Sequence, residues 1–147
     1  MPFQLEIVTA ERVVLSDRVD QVNVPGAAGR MGILARHEPL LTSLIPGELD
    51  IIKNGVSTPF AVSGGFMEVL PDRVTILADT AERADEIDEA RAEAARRRAE
   101  DLIRERRGDQ EMLIAESQLR RAMVRLTVAR LRRSGRRSGP GGDVGND

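Results

Sequence analysis

Arginine is the residue type in this chain with chemistry to offer. Of 22 basic residues, all but Lys53 are arginine. A guanidinium carries five N–H donors in a planar fork and takes phosphate or carboxylate through paired, charge-assisted hydrogen bonds. Four arginines stand at telling positions. On a helical wheel Arg91 and Arg98 lie within about 20° of each other. They fall in the middle of an apolar stripe of Ala84, Ile87, Ala94, Ala95 and Leu102, where charge is not normally found. Arg121 and Arg125 flank a second stripe of Met112, Ala115, Leu119, Ala122, Met123 and Leu126. At i,i+4 spacing these two repel modestly, so an anion should stabilise the arrangement. Candidates are Asp88, three residues before Arg91, Glu82, an acidic partner protein, or a polyphosphate. The simpler reading from spacing alone is a solvated face, because arginine stems are apolar and reach from a stripe to water.

Other chemistries are excluded more firmly. The chain has no cysteine and one histidine, His37, so thiol nucleophiles, Cys-ligated zinc and His-rich metal centres are out. His37 precedes Glu38-Pro39 in a loop-like stretch with no catalytic motif around it. There is no G-x-x-x-x-G-K-[ST] loop, and Gly64-Gly65 opens no helix, so it reads as a turn or bulge. A hydrolase built on Asp88 and Glu89 is disfavoured, since helical neighbours point about 100° apart. A nucleic-acid-binding hairpin is disfavoured too: the three aromatics are all Phe in the first half of the chain, so no stacking platform exists. No apolar run approaches the ~18 residues of a membrane span, and no export signal is visible.

Two kinds of element must position the arginines. Residues 3–78 read in period 2, with Phe3, Leu5 and Ile7, then Val22 and Val24, then Val74, Ile76 and Ala78 alternating with polar neighbours. Turn signals fall at Pro25-Gly26, Pro46-Gly47, Asn54-Gly55 and Pro71-Asp72, which suggests an antiparallel sandwich or barrel. From about residue 85 strong helix formers take over. Two antiparallel helices are expected at 85–107 and 110–133, joined at Gly108. Asp85 is the expected N-cap of the first, with Asp79 and Glu82 as a competing capping box. Charge follows the same division. Residues 1–80 carry 10 acidic and 6 basic groups, residues 81–137 carry 12 and 16, and the whole chain is at −2. Residues 134–147 hold five glycines and a proline and are expected to be a disordered tail.

The order of these pieces resembles the epsilon subunit of F-type ATP synthases across residues 3–133. The resemblance is carried by Gly29–Leu34, His37–Thr42, Pro46-Gly47, Ser63–Val69, Val74–Glu82, Ile87–Ala92 and Arg121–Leu126. It implies a ten-stranded β-sandwich (residues 1–84), an α-helical hairpin (85–133) and the tail (134–147). It implies a non-catalytic central-stalk subunit that binds the gamma subunit and sits on the rotor c-ring, peripherally at the cytoplasmic face of a bacterial inner membrane. In bacterial members the hairpin folds against the sandwich or extends among the alpha and beta subunits, where it blocks ATP hydrolysis. In some members the folded hairpin binds ATP as a regulatory ligand, with no metal or required cofactor of its own. The residues that match that motif here are Ile87, Asp88 and Arg91 of Ile87–Ala92, together with Glu82, Arg98, Arg121 and Arg125. An acidic residue is common in the family where this chain has Arg30.

Overall fold

A computed structural model describes residues 1–105 and 108–138, the last seven of these by backbone only. The alternating segments form eight strands: β1 (Phe3–Val8), β2 (Val13–Val19), β3 (Gln21–Gly26), β4 (Gly29–Leu34), β5 (Leu40–Lys53), β6 (Val56–Val69), β7 (Arg73–Ala78) and β8 (Ala81–Arg83). Their order is β2-β1-β7-β6-β5-β3-β4, with β8 paired to β6. All ladders are antiparallel except β1 with β7.

β5 and β6 run 14 residues each and pair along nearly their whole length. Gly65–Val69 of β6 pairs β7, whereas Phe60–Val62 pairs β8. The two long strands thus serve both layers, and counting their halves separately gives the ten expected strands. Alternation decides what lies between the layers. Phe3, Leu5 and Ile7 of β1, Val22 and Val24 of β3, Phe60 and Met67 of β6, and Ile76 of β7 are all buried in one core. Gly65 lets β6 bend there: its φ is +136°, and a Cβ would meet Leu77 O at 2.1 Å.

Two expected turns are displaced. Pro46-Gly47 lies inside unbroken β5. The dipeptide serves close approach there, because a Cβ on Gly47 would fall 2.9 Å from Pro25. Pro25-Gly26 ends β3, and the chain reverses at residues 27–28. Asn54-Gly55 turns as expected, with φ of 53° and 77°.

The helical half forms a hairpin of α1 (Glu89–Glu105) and α2 (Asp109–Ser138), preceded by a single 3₁₀ turn at Ala84–Glu86. The first α-helix starts later than residue 85 because Asp88 caps it. Asp88 Oδ1 accepts from the Arg91 amide at 3.1 Å, the bond an N-cap side chain makes to the third helical amide. α2 runs past the expected end at residue 133, and residues 139–147 of the expected tail lie outside the described residues.

The seam between the helices is built of alanine. Ala92 and Ala99 of α1, and Ala115, Ala122 and Ala129 of α2, are buried at 0–4% exposure and recur at seven-residue spacing. Ala94 and Leu102 are exposed, so the α1 seam is rotated about 100° from the stripe expected around Arg91 and Arg98. On α2 the expected stripe holds except at Met123, which is 51% exposed.

Candidate functional site

Where α1 and α2 lie beside β6 and β8, a cleft of about 710 Å³ opens. That is within the range of roughly 300–1,000 Å³ that small-molecule sites occupy. Four residues matched to the ATP motif converge on it: Glu82 from β8, Arg98 from α1, and Arg121 and Arg125 from α2. Three arginines against one carboxylate leave a formal surplus of positive charge, which suits an anion. Ala95, Leu102 and Ala122 supply apolar wall.

The partners of these arginines differ. Arg125 donates from Nε to Glu82 Oε1 at 2.6 Å and from Nη2 to Glu82 Oε2 at 3.1 Å. Both side chains are about one-third exposed. Among the described residues, Arg121 Nη1 donates only to the neutral Ser117 hydroxyl, at 2.7 Å. Among the described residues, the Arg98 and Arg91 side chains have no hydrogen-bond or ion-pair partner. The solvated-ladder reading applies to a different set: Arg96 bridges Glu93 and Glu100, Arg97 reaches Glu93, and Arg104 reaches Asp101. Hydrogen bonding from Arg96 holds the Glu93 carboxyl below its usual range.

Three of the expected residues lie apart from the cleft lining. Asp88 is committed to the α1 cap. Arg91 is exposed on the first turn of α1. Ile87 packs with Val124 against Ala61, Ala84 and Val128, the small apolar cluster that joins hairpin to sandwich. Sequence reasoning missed Ser63, Thr80 and Gln118, which also line the cleft. Thr80 Oγ1 donates to Ser63 Oγ at 2.6 Å. Ser63 belongs to β6 and Thr80 to the link between β7 and β8, and nothing in the sequence announces that a hairpin docks beside them.

A second surface is apolar. Phe66 of β6 lies directly across from Leu77 of β7, and they are 57% and 55% exposed. Leu41 and Ile45 of β5, 73% and 49% exposed, extend the patch on the same face. Among the described residues no helix is long and apolar enough to cross a membrane.

Fold and site together define the class: a β-sandwich with an exposed apolar face, carrying a helical hairpin docked over a cationic cleft. Residues 2–84 match the family model for the beta-sandwich domain of the ATP synthase delta/epsilon chain, and residues 85–130 match that for its long alpha-helix domain. The chain belongs to the ATP synthase delta/epsilon-chain family. It is 69% identical to the ATP synthase epsilon chain of Herpetosiphon aurantiacus over 134 residues, 91% of this chain and 98% of that one. It is 68% identical to the epsilon chain of Chloroflexus aggregans over 93% of this chain and 99% of the relative. A chain in the Euglena gracilis mitochondrial ATP synthase, solved as OSCP/F1/c-ring, shares the fold with a TM-score of 0.73 at 24% identity, over 81% of this chain and 76% of that one. So does a chain of the Tetrahymena thermophila central stalk and c-ring, at 0.59 and 16%, over 88% and 97%.

Proposed function

We propose that this chain is a non-catalytic rotor subunit of a bacterial ATP synthase, coupling proton-driven rotation to ATP synthesis, and that its folded hairpin binds ATP. The sandwich would hold the gamma subunit and rest on the c-ring, peripheral to the membrane. The Leu41, Ile45, Phe66 and Leu77 face suits such a partner, since contiguous exposed apolar surface marks protein contact sites. Released from the sandwich, the hairpin would reach the alpha and beta subunits and restrain ATP hydrolysis.

One observation carries the ATP reading: Arg98, Arg121 and Arg125, from two helices, line a single cleft against the sandwich. A triphosphate offers enough anionic oxygens to engage all three. Binding only the docked form stabilises it by about 2.7 kcal/mol at a hundred times the dissociation constant. That moves a balanced equilibrium to roughly 99:1. Docking itself is slight. The joining cluster is Ala61, Ala84 and Val128 with Ile87 and Val124, and small side chains bury little apolar area.

Calorimetric titration of ATP into the full chain tests the site. Saturable binding, weakened in Arg98→Ala and Arg121→Ala, is expected. No binding at millimolar ATP would make the hairpin a structural element indifferent to nucleotide. Regulation is tested in the assembled enzyme, where loss of residues 85–147 should raise ATP hydrolysis. An unchanged rate refutes it.

A further inference from the structure

Glu82 is the acidic member of the cleft, beside three arginines, and its chemistry sets it apart from them. An ionised carboxylate accepts hydrogen bonds and donates none. It cannot bond to phosphate oxygens and would repel them. Each of its two oxygens accepts one hydrogen bond from Arg125, from Nε and from Nη2. We infer that Glu82 is a positioning residue, which holds Arg125 for phosphate oxygens that it does not itself touch. The inference rests on the proposal that the cleft binds ATP.

The geometry of the pair gives the reason. A guanidinium has five N–H bonds. The pair with Glu82 uses Nε and one hydrogen of Nη2. Both hydrogens of Nη1 and the second of Nη2 remain, and one from each nitrogen makes the outer edge that grips two phosphate oxygens side by side. Arginine is long and rich in rotamers, so an unheld Arg125 must be ordered when the ligand arrives. Glu82 fixes the plane in advance. It can do so because its own backbone is fixed: β8 pairs with β6, with Glu82 opposite Ala61.

A coupling follows from where the two partners sit. Arg125 belongs to the hairpin and Glu82 to the sandwich. The guanidinium is therefore set only while the hairpin is docked. An anion on its outer edge favours docking through a residue it never meets.

The test is a two-residue cycle in the full chain, with ATP as probe and calorimetry as readout. Arg125→Ala should weaken binding most. Glu82→Ala should weaken it by about 2- to 10-fold, the cost of ordering one long side chain. The double variant should bind no worse than Arg125→Ala alone. A second readout separates positioning from a general loosening of the fold. The Arg125 Nε–H proton should give a protected NMR signal in the wild-type chain. It should persist when ATP is added and vanish in Glu82→Ala, while the Val128 amide keeps its shift and reports a docked hairpin. Independent, multiplying losses in the cycle would overturn the inference, as would tighter binding in Glu82→Ala, or loss of the Nε–H signal on adding ATP. Those results leave the ATP reading intact. Failure of the wild type to bind ATP removes that reading and this role with it.

Discussion

Ala99→Leu should loosen the hairpin, and Ala94→Leu, five residues earlier on the same helix, should not. Ala99 is 1% exposed on a helix that packs along α2. Three added carbons have no space in a seam set by alanine. Overpacking of this kind costs about 1–3 kcal/mol. Ala94 is exposed, and surface changes stay within about 0.5 kcal/mol. Leucine and alanine differ little in helix propensity, so the comparison isolates packing. The assay is hydrogen exchange of the α1 and α2 amides, with the β6 amides as internal reference. A loss of about 1–3 kcal/mol appears as a roughly 5- to 150-fold rise in the opening equilibrium, at tenfold per 1.4 kcal/mol. Equal protection in the two variants would refute the observed seam. A larger loss in Ala94→Leu would put the buried stripe back around Arg91 and Arg98.

Three further outcomes are expected. Asp88→Ala should destabilise the start of α1 by about 0.5–2 kcal/mol while Asp88→Asn retains most of it; loss of ATP binding with α1 protection unchanged would instead make Asp88 a ligand contact. Burial raises the Glu48 carboxyl above its usual range, against the opposing pull of Arg30. A raised acid holds its proton more tightly when folded, so this group opposes folding above its folded pKa and stops doing so as pH falls below its unfolded value. Glu48→Gln should therefore raise Tm near about pH 7 and lose that gain near about pH 4; an equal gain at both would show that charge is not the cause. Gly65→Ala should fail to give a folded sandwich by circular dichroism, because a Cβ there meets the Leu77 carbonyl; native-like unfolding would refute the bend.

The β-sandwich was legible because alternation is a local signal: Phe3, Leu5 and Ile7 point inward as read. Pro46-Gly47 misled because the same dipeptide serves a reversal or a strand pressed close to its neighbour. The first helix misled because alanine is abundant on more than one face of it. Ala92, Ala94, Ala95 and Ala99 span much of the wheel, so hydrophobicity alone could not choose among them. Smallness chose: Ala92 and Ala99 recur at the seven-residue spacing also seen on α2. Arg98, Arg121, Arg125 and Glu82 share a cleft, but the ion pair between Glu82 and Arg125 spans 43 residues. Ser63 and Thr80 belong to the cleft only through docking, which leaves no periodic trace.

β6 has a mechanical consequence. Phe66, on the exposed apolar face, and Val62, in the cleft lining, belong to this one strand. They stand four residues apart, and between them Gly64 and Gly65 hold φ of +115° and +136°, so the strand bends between the two. Between them the strand is fastened to β5 at Ser63 and Gly65, and no loop intervenes. The apolar face and the seat of the hairpin are therefore two ends of one bent strand, and a displacement of either is carried to the other without passing through a loop. The helices, held to that seat by a few small side chains, are the compliant part of the arrangement.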